Sequence, residues 1–188
     1  MAAESLKSVP IVNLDANPVV ENTTGEGASG FLKEINGHVA STTGVTSGST
    51  YRLVRLPTNA KIKRVLFTAA SSGGTGTVDI DVAFSDSTTD GTQASLQGGI
   101  VQVSGGTDNK LFGSAVTVTT ALKNSDVTFS GTYTTDMQNQ PLWQALINNV
   151  PAATQFTSDP GGFFDIVLKS VATLASGGDF SIEVDYVE

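Results

Sequence analysis

The chain has 188 residues, no cysteine, one histidine and a formal charge of −8, with only 15% of residues charged. Thr, Ser and Gly supply 24, 19 and 20 residues, so these small types make up 63 positions. Zero Cys excludes disulfide scaffolds and thiolate chemistry, a lone His excludes a multi-histidine metal centre in one chain, and the acidic balance argues against nucleic acid as a partner.

No apolar run approaches the ~18 residues of a membrane-spanning helix. Glu4 and Lys7 precede no apolar stretch of the kind a secretory signal needs. Charge is unevenly spread: residues 1–51 carry −3, residues 52–64 carry +5 and residues 65–188 carry −10.

Residues 1–40 read as an extended arm. Val9, Ile11, Val12, Leu14, Val19 and Val20 form apolar clusters broken by Pro10 and Pro18, and neither a helical nor a strand period survives. So many aliphatics are too hydrophobic for a solvated tail. The arm is expected to lie on a surface, its own body or a neighbour, with those six residues as partner contacts. The basic island Arg52, Arg55, Lys61, Lys63 and Arg64 is a second candidate contact; its plainer reading is pairing with the chain's own carboxylates.

Residues 41–188 read as a β body. Strands are expected at Tyr51–Leu56 and Ile62–Thr68 around a Pro57-Thr58-Asn59 turn, and at Thr77–Phe84, where strict alternation predicts one buried and one wet face. Residues 85–112 form a polar excursion with at most one short strand near Ile100–Val103. Ala115–Ala121 and Val127–Thr132 are further strand candidates separated by a Lys123–Asp126 connector. Pro141–Asn149 is the one convincing helix, with Pro suited to its first turn and Trp143 as a core anchor. Phe163–Ser170 and the alternating Phe180–Val187 close the chain. The fold class is mainly β: an antiparallel, jelly-roll-like sandwich with one short helix and an extended N-terminal arm.

No chemistry converges. His38 lies beside the glycine-rich arm with no nucleophile elbow and reads as a surface or inter-subunit histidine. The carboxylate pairs Asp79/Asp81 and Glu183/Asp185 fall on faces marked as wet, whereas a glycosidase needs facing carboxylates with one buried. Asp86–Gly91 offers some calcium ligands but lacks the spacing of an EF-hand loop. No catalytic residue, cofactor or metal site is expected.

The stretches YRLVRLPTNAKIKRVLFTAA, TVDIDVAFSDS and NQPLWQALINNV, with the Asp-Pro-Gly-Gly turn and the two closing strands, resemble small structural proteins of tailed bacteriophages and prophages. The resemblance covers residues 50–188. It implies a virion component made in the host cytoplasm, a capsid decoration or cement protein on the head with the major capsid protein as partner. It also implies a homo-oligomer, with a trimer favoured by analogy, and no membrane. A tail, head–tail joining or head-fibre base protein is the alternative within the virion. A carbohydrate-binding or adhesin-like sandwich using the 85–112 excursion is the alternative outside it.

Overall fold

Among the described residues ten strands form, most of them where the apolar and alternating segments lie: β1 (Lys33–Ala40), β2 (Thr50–Pro57), β3 (Lys61–Ala69), β4 (Thr77–Phe84), β5 (Gln102–Val103), β6 (Thr107–Asp108), β7 (Gly113–Thr117), β8 (Leu122–Asp126), β9 (Phe163–Ser170) and β10 (Asp179–Val187). A 3-10 turn at Thr135–Asn139 precedes the helix α1 (Leu142–Asn149). The computed structural model describes residues 31–40, 45–72, 76–85, 99–103, 107–149, 156–174 and 178–188. The chain divides after Phe31, and the unit Leu32–Glu188 holds all of these strands. The arm candidates Val9, Ile11, Val12, Leu14, Val19 and Val20 and the Asp86–Gly91 segment lie outside the described residues.

Two four-stranded sheets result, ordered β1-β10-β3-β8 and β2-β9-β4-β7, with β5 and β6 as a separate two-stranded ribbon. The strand pairs are nested: β1 with β10, β2 with β9, β3 with β8, β4 with β7, all antiparallel. One long hairpin of strand pairs is therefore wound so that successive pairs alternate between sheets, while β10–β3 and β9–β4 join them. Ribbon aside, this is the eight-strand jelly roll, as expected from the pattern.

The core fills from both sheets. Phe180, Ile182 and Val184 of β10 and Ile62, Val65 and Phe67 of β3 face Val54, Leu56, Ile80, Val82, Phe164 and Ile166 of the opposite sheet, all buried. Each such side chain contributes about 1.5–3 kcal/mol on burial. Helix α1 docks through Leu142, Ala145 and Leu146, all buried. Its first N–H groups bind the β2–β3 turn, Leu142 N to Ala60 O at 2.8 Å and Trp143 N to Thr58 O at 3.1 Å. Trp143 is only half-buried and packs at the edge of the core, so Leu146 takes the anchoring role expected of Trp143.

Several expectations are corrected. Lys33–Ala40, inside the segment read as arm, is an edge strand paired with β10 along its whole length. Its inward residues Ile35, Gly37 and Val39 are only half-buried, which leaves a weak apolar signal. Leu122–Asp126, read largely as a connector, is β8; Val127–Thr132, read as a strand, is a turn region entered by Val127, whose N–H binds Val65 O at 2.9 Å. Strand β8 is polar because it is an edge, so alternation could not mark it. The Asp79/Asp81 face is not wet. Asp79 is 3% and Asp81 0% exposed, because residues 99–103 and 107–112 fold back along that strand. Asp185 is likewise buried, at 7%, beneath the Arg64 guanidinium.

Candidate functional site

The outer face of the β2-β9-β4-β7 sheet concentrates the buried charge. Alternation directs Asp79 and Asp81 of β4 and Lys169 of β9 to this side, and the register sets Asp79 opposite Lys169. Residues 99–103 and 107–112 then return over them. Their backbone extends the sheet at Val82, where Val101 N donates to Val82 O at 2.9 Å. Asn109 completes the seam: its Oδ1 accepts from Val82 N at 3.0 Å, and its Nδ2 donates to Val82 O at 2.7 Å and Val101 O at 2.9 Å.

Each acid beneath the loop has a defined task. Asp79 Oδ1 accepts from Ala115 N at 2.7 Å, and Lys110 Nζ lies 3.3 Å from its Oδ2. Asp108 accepts from Lys169 Nζ and from Gln102 Nε2, which holds the β5–β6 ribbon. Asp81 Oδ1 accepts from Lys110 N at 2.6 Å, while its Oδ2 is buried without a partner. Burial pushes the Asp81 carboxyl up to about 7; the nearby Asp108 and Asp79 push the same way, against the Lys110 N–H and the Lys169 ammonium. The hydrogen bond to Asp108 in turn raises the Lys169 ammonium above its ordinary range. A polar recess of about 550 Å³ opens beside the cluster, lined by Asp79, Asp108, Lys110, Lys169 and Ser47. Its two lysines each face a carboxylate, so among the described residues the recess carries balanced charge, and its lining holds no histidine.

The basic island does not form one patch. Arg52 and Arg55 sit on β2, and both grip Asp165 of β9, through Arg52 Nη1 at 2.7 Å and Arg55 Nε at 2.7 Å. Arg52 also donates to Phe84 O at 2.8 Å. Lys61, Lys63 and Arg64 belong to β3 in the other sheet. Lys63 donates to Gln138 O at 2.7 Å, and burial lowers its ammonium below the usual lysine range. Arg64 lies 2.9 Å from Asp185 and 3.4 Å from Glu183. Glu34 joins those two acids, with ligand oxygens of the three within 4.8 Å of one another. The spacing suits a cation, and the Arg64 guanidinium already supplies positive charge there. His38 is exposed on β1 opposite Ser181.

Asp165 and Asn109 are the organising residues that pattern reading missed. Asp165 had a signal, being a lone acid within the otherwise apolar run Phe163–Leu168. Asn109 had none, because its bonds to Val82 and Val101 exist only after the excursion has folded back.

No protein-family model matches the chain, and no curated protein does either. Among solved structures, it is similar to a chain described as "Cyanophage Pam1 capsid asymmetric unit", with 16% identity over 92% of this chain and 96% of that one, at a TM-score of 0.49.

Proposed function

We propose that this chain is a non-enzymatic structural protein of a tailed-phage virion, acting as a capsid decoration protein that binds the major capsid lattice. The resemblance of residues 50–188 to small virion proteins supports the reading. The observation that carries it is how the body uses its charge. On both outer sheet faces the buried acids meet neighbouring cations or backbone N–H groups, and a loop is fastened over β4 where an enzyme would need an open, convergent cleft. Such a surface suits lasting contact rather than turnover.

A decoration protein works by burying surface across joints between shell subunits. The aliphatic arm is the proposed grip, adding extended backbone to a partner's sheet edge. Burial of Val9, Ile11, Val12, Leu14, Val19 and Val20 would contribute on the order of 1.5–3 kcal/mol each before ordering costs. The basic residues stand on different sheets, so an acidic partner would meet either Arg52 and Arg55 or the β3 group, not all five together.

The test is co-sedimentation with phage heads stripped of decoration. The intact chain is expected to pellet with heads. A chain lacking residues 1–30 is expected to keep its β circular dichroism spectrum and stay in the supernatant. Normal pelleting of the shortened chain removes the arm from the mechanism. Binding of the intact chain to tails instead of heads moves it to a tail or joining position.

A further inference from the structure

We propose that the outer edge of β1, unpaired among the described residues, pairs antiparallel with the same edge of a second copy of this chain, continuing the β1-β10-β3-β8 sheet across a twofold axis. The inference does not depend on the virion reading.

The four edge strands are β1, β8, β2 and β7. Three of them carry an extra residue that breaks the ladder. In β7, Ser114 and Ala115 stand against Asp79, with Ala115 at φ 52° and its N–H held by the Asp79 carboxylate. In β8, Lys123 and Asn124 stand against Thr68, with Asn124 at φ 46° and its N–H held by Thr68 Oγ1 at 3.0 Å. In β2, Leu53 is the extra residue between Arg52 and Val54. Bulges twist an edge and stop further strands from adding to it.

Strand β1 has no such device. It pairs one for one with β10 over eight residues, from Lys33↔Tyr186 to Ala40↔Asp179. It contains no proline, and among the described residues no backbone hydrogen bond reaches it from the side away from β10. Its far side is an even row of N–H and C=O groups, the template that strand addition uses.

The side chains select the occupant. Residues directly opposite across an antiparallel pair share a face, so a twofold normal to the sheet must pass midway between the two copies of one residue. Centring it on Asn36 sets Glu34 opposite His38 of the second copy, and His38 opposite its Glu34. All three residues are exposed on one face, and Asn36 Nδ2 already steers the Glu34 carboxylate at 2.8 Å. On the inward face the same centre sets Ile35 opposite Gly37, where no side chain competes. Centring on Ile35 instead would set Lys33 opposite Gly37 and Glu34 opposite Asn36, with no complementary pair. The half-buried Ile35 and Val39 would gain cover from the added strand.

The chain lacks cysteine, so single cysteines report contacts cleanly. In the full-length chain, Asn36→Cys faces itself across the axis at about 4.5–5.5 Å between Cα atoms, within disulfide reach. It is expected to oxidise to a covalent dimer. His38→Cys, with its copies four residues apart or about 13 Å, should crosslink at least tenfold more slowly. Sedimentation velocity of the wild-type chain should show a concentration-dependent dimer. Glu34→Lys should weaken dimerisation at least tenfold, and adding His38→Glu should restore it. A wild-type chain still monomeric at about 100 micromolar, where a dimer of micromolar Kd would be largely formed, or equal crosslinking of the two cysteine variants, overturns the proposal.

Discussion

Asp81→Asn separates the cost of a buried charge from the value of its hydrogen bond. The amide keeps an oxygen to accept from Lys110 N and removes the ionisable oxygen that has no partner. The folded-state carboxyl titrates near 7 against an ordinary 3.8. The folded protein therefore holds a proton that the unfolded chain has released between these values. Stability contributed by the protonated group is fully present below about 3.8 and is lost as pH rises through 7. At roughly 1.36 kcal/mol per pH unit, the wild-type protein loses about 4 kcal/mol across that window from this group alone. That is a large part of a typical net stability of about 5–15 kcal/mol. The variant lacks this loss, so urea unfolding at pH 8 should find it about 2–4 kcal/mol more stable than wild type, the lower figure allowing for an unpartnered amide NH₂. At pH 4.5 the two should differ by less than about 1 kcal/mol. In melting temperature the pH 8 gain is roughly 10 °C for a chain of this size. Titrating groups distant from Asp81 cancel in the difference between variants. A gap that stays the same at both pH values refutes the reasoning.

Three further perturbations test the packing. Gly131→Ala places a methyl 2.0 Å from Lys110 O and 2.7 Å from Gly113 N, both backbone; thermal denaturation should show a loss of about 3 kcal/mol or failure to accumulate folded protein. Tyr133→Phe removes the hydroxyl that reaches Ile62 O at 2.9 Å and Met137 O at 3.1 Å, and chemical unfolding should register a loss of about 1–2 kcal/mol. Asp165→Ala leaves Arg52 and Arg55 without their shared carboxylate; both arginines are partly solvated, so the expected loss is about 1–2 kcal/mol rather than the larger cost of a fully buried pair, and it should shrink in high salt.

How far the pattern could be read depended on what covers each strand. Strands β4 and β9 occur at the residues expected, Thr77–Phe84 and Phe163–Ser170, because their apolar side chains define an inner face without help from elsewhere. Strands β1 and β8 were hidden because edges carry polar residues whose strand state is imposed by β10 and β3. Alternation placed Asp79 and Asp81 together on one side of β4 correctly, yet it could not say that Val101 and Asn109 would return over them from a polar loop. The basic island looked continuous in sequence, but the turn at Pro57–Ala60 sends β2 and β3 into different sheets, and the cations part with them.

The buried acids have a consequence for the fold itself. A strand with one wet face is held in register by the contrast between its faces, since a one-residue slip exposes the apolar set. In β4 both faces are covered, with every residue from Val78 to Phe84 buried, so this contrast is weak. A two-residue slip would even keep Ile80 and Val82 pointing inward. What such a slip cannot keep is the pairing of Asp79 with Ala115 N and of Asp81 with Lys110 N, 2.7 and 2.6 Å in the native register. Displacing either carboxyl leaves a buried group without its hydrogen bond, which costs about 1–3 kcal/mol and more where the group is charged. On β9, Asp165 does the same work through two guanidiniums. The sparse charges of this Ser-, Thr- and Gly-rich chain thus set alignment where hydrophobic patterning is silent, and Asp81 does so at the expense of stability above neutral pH.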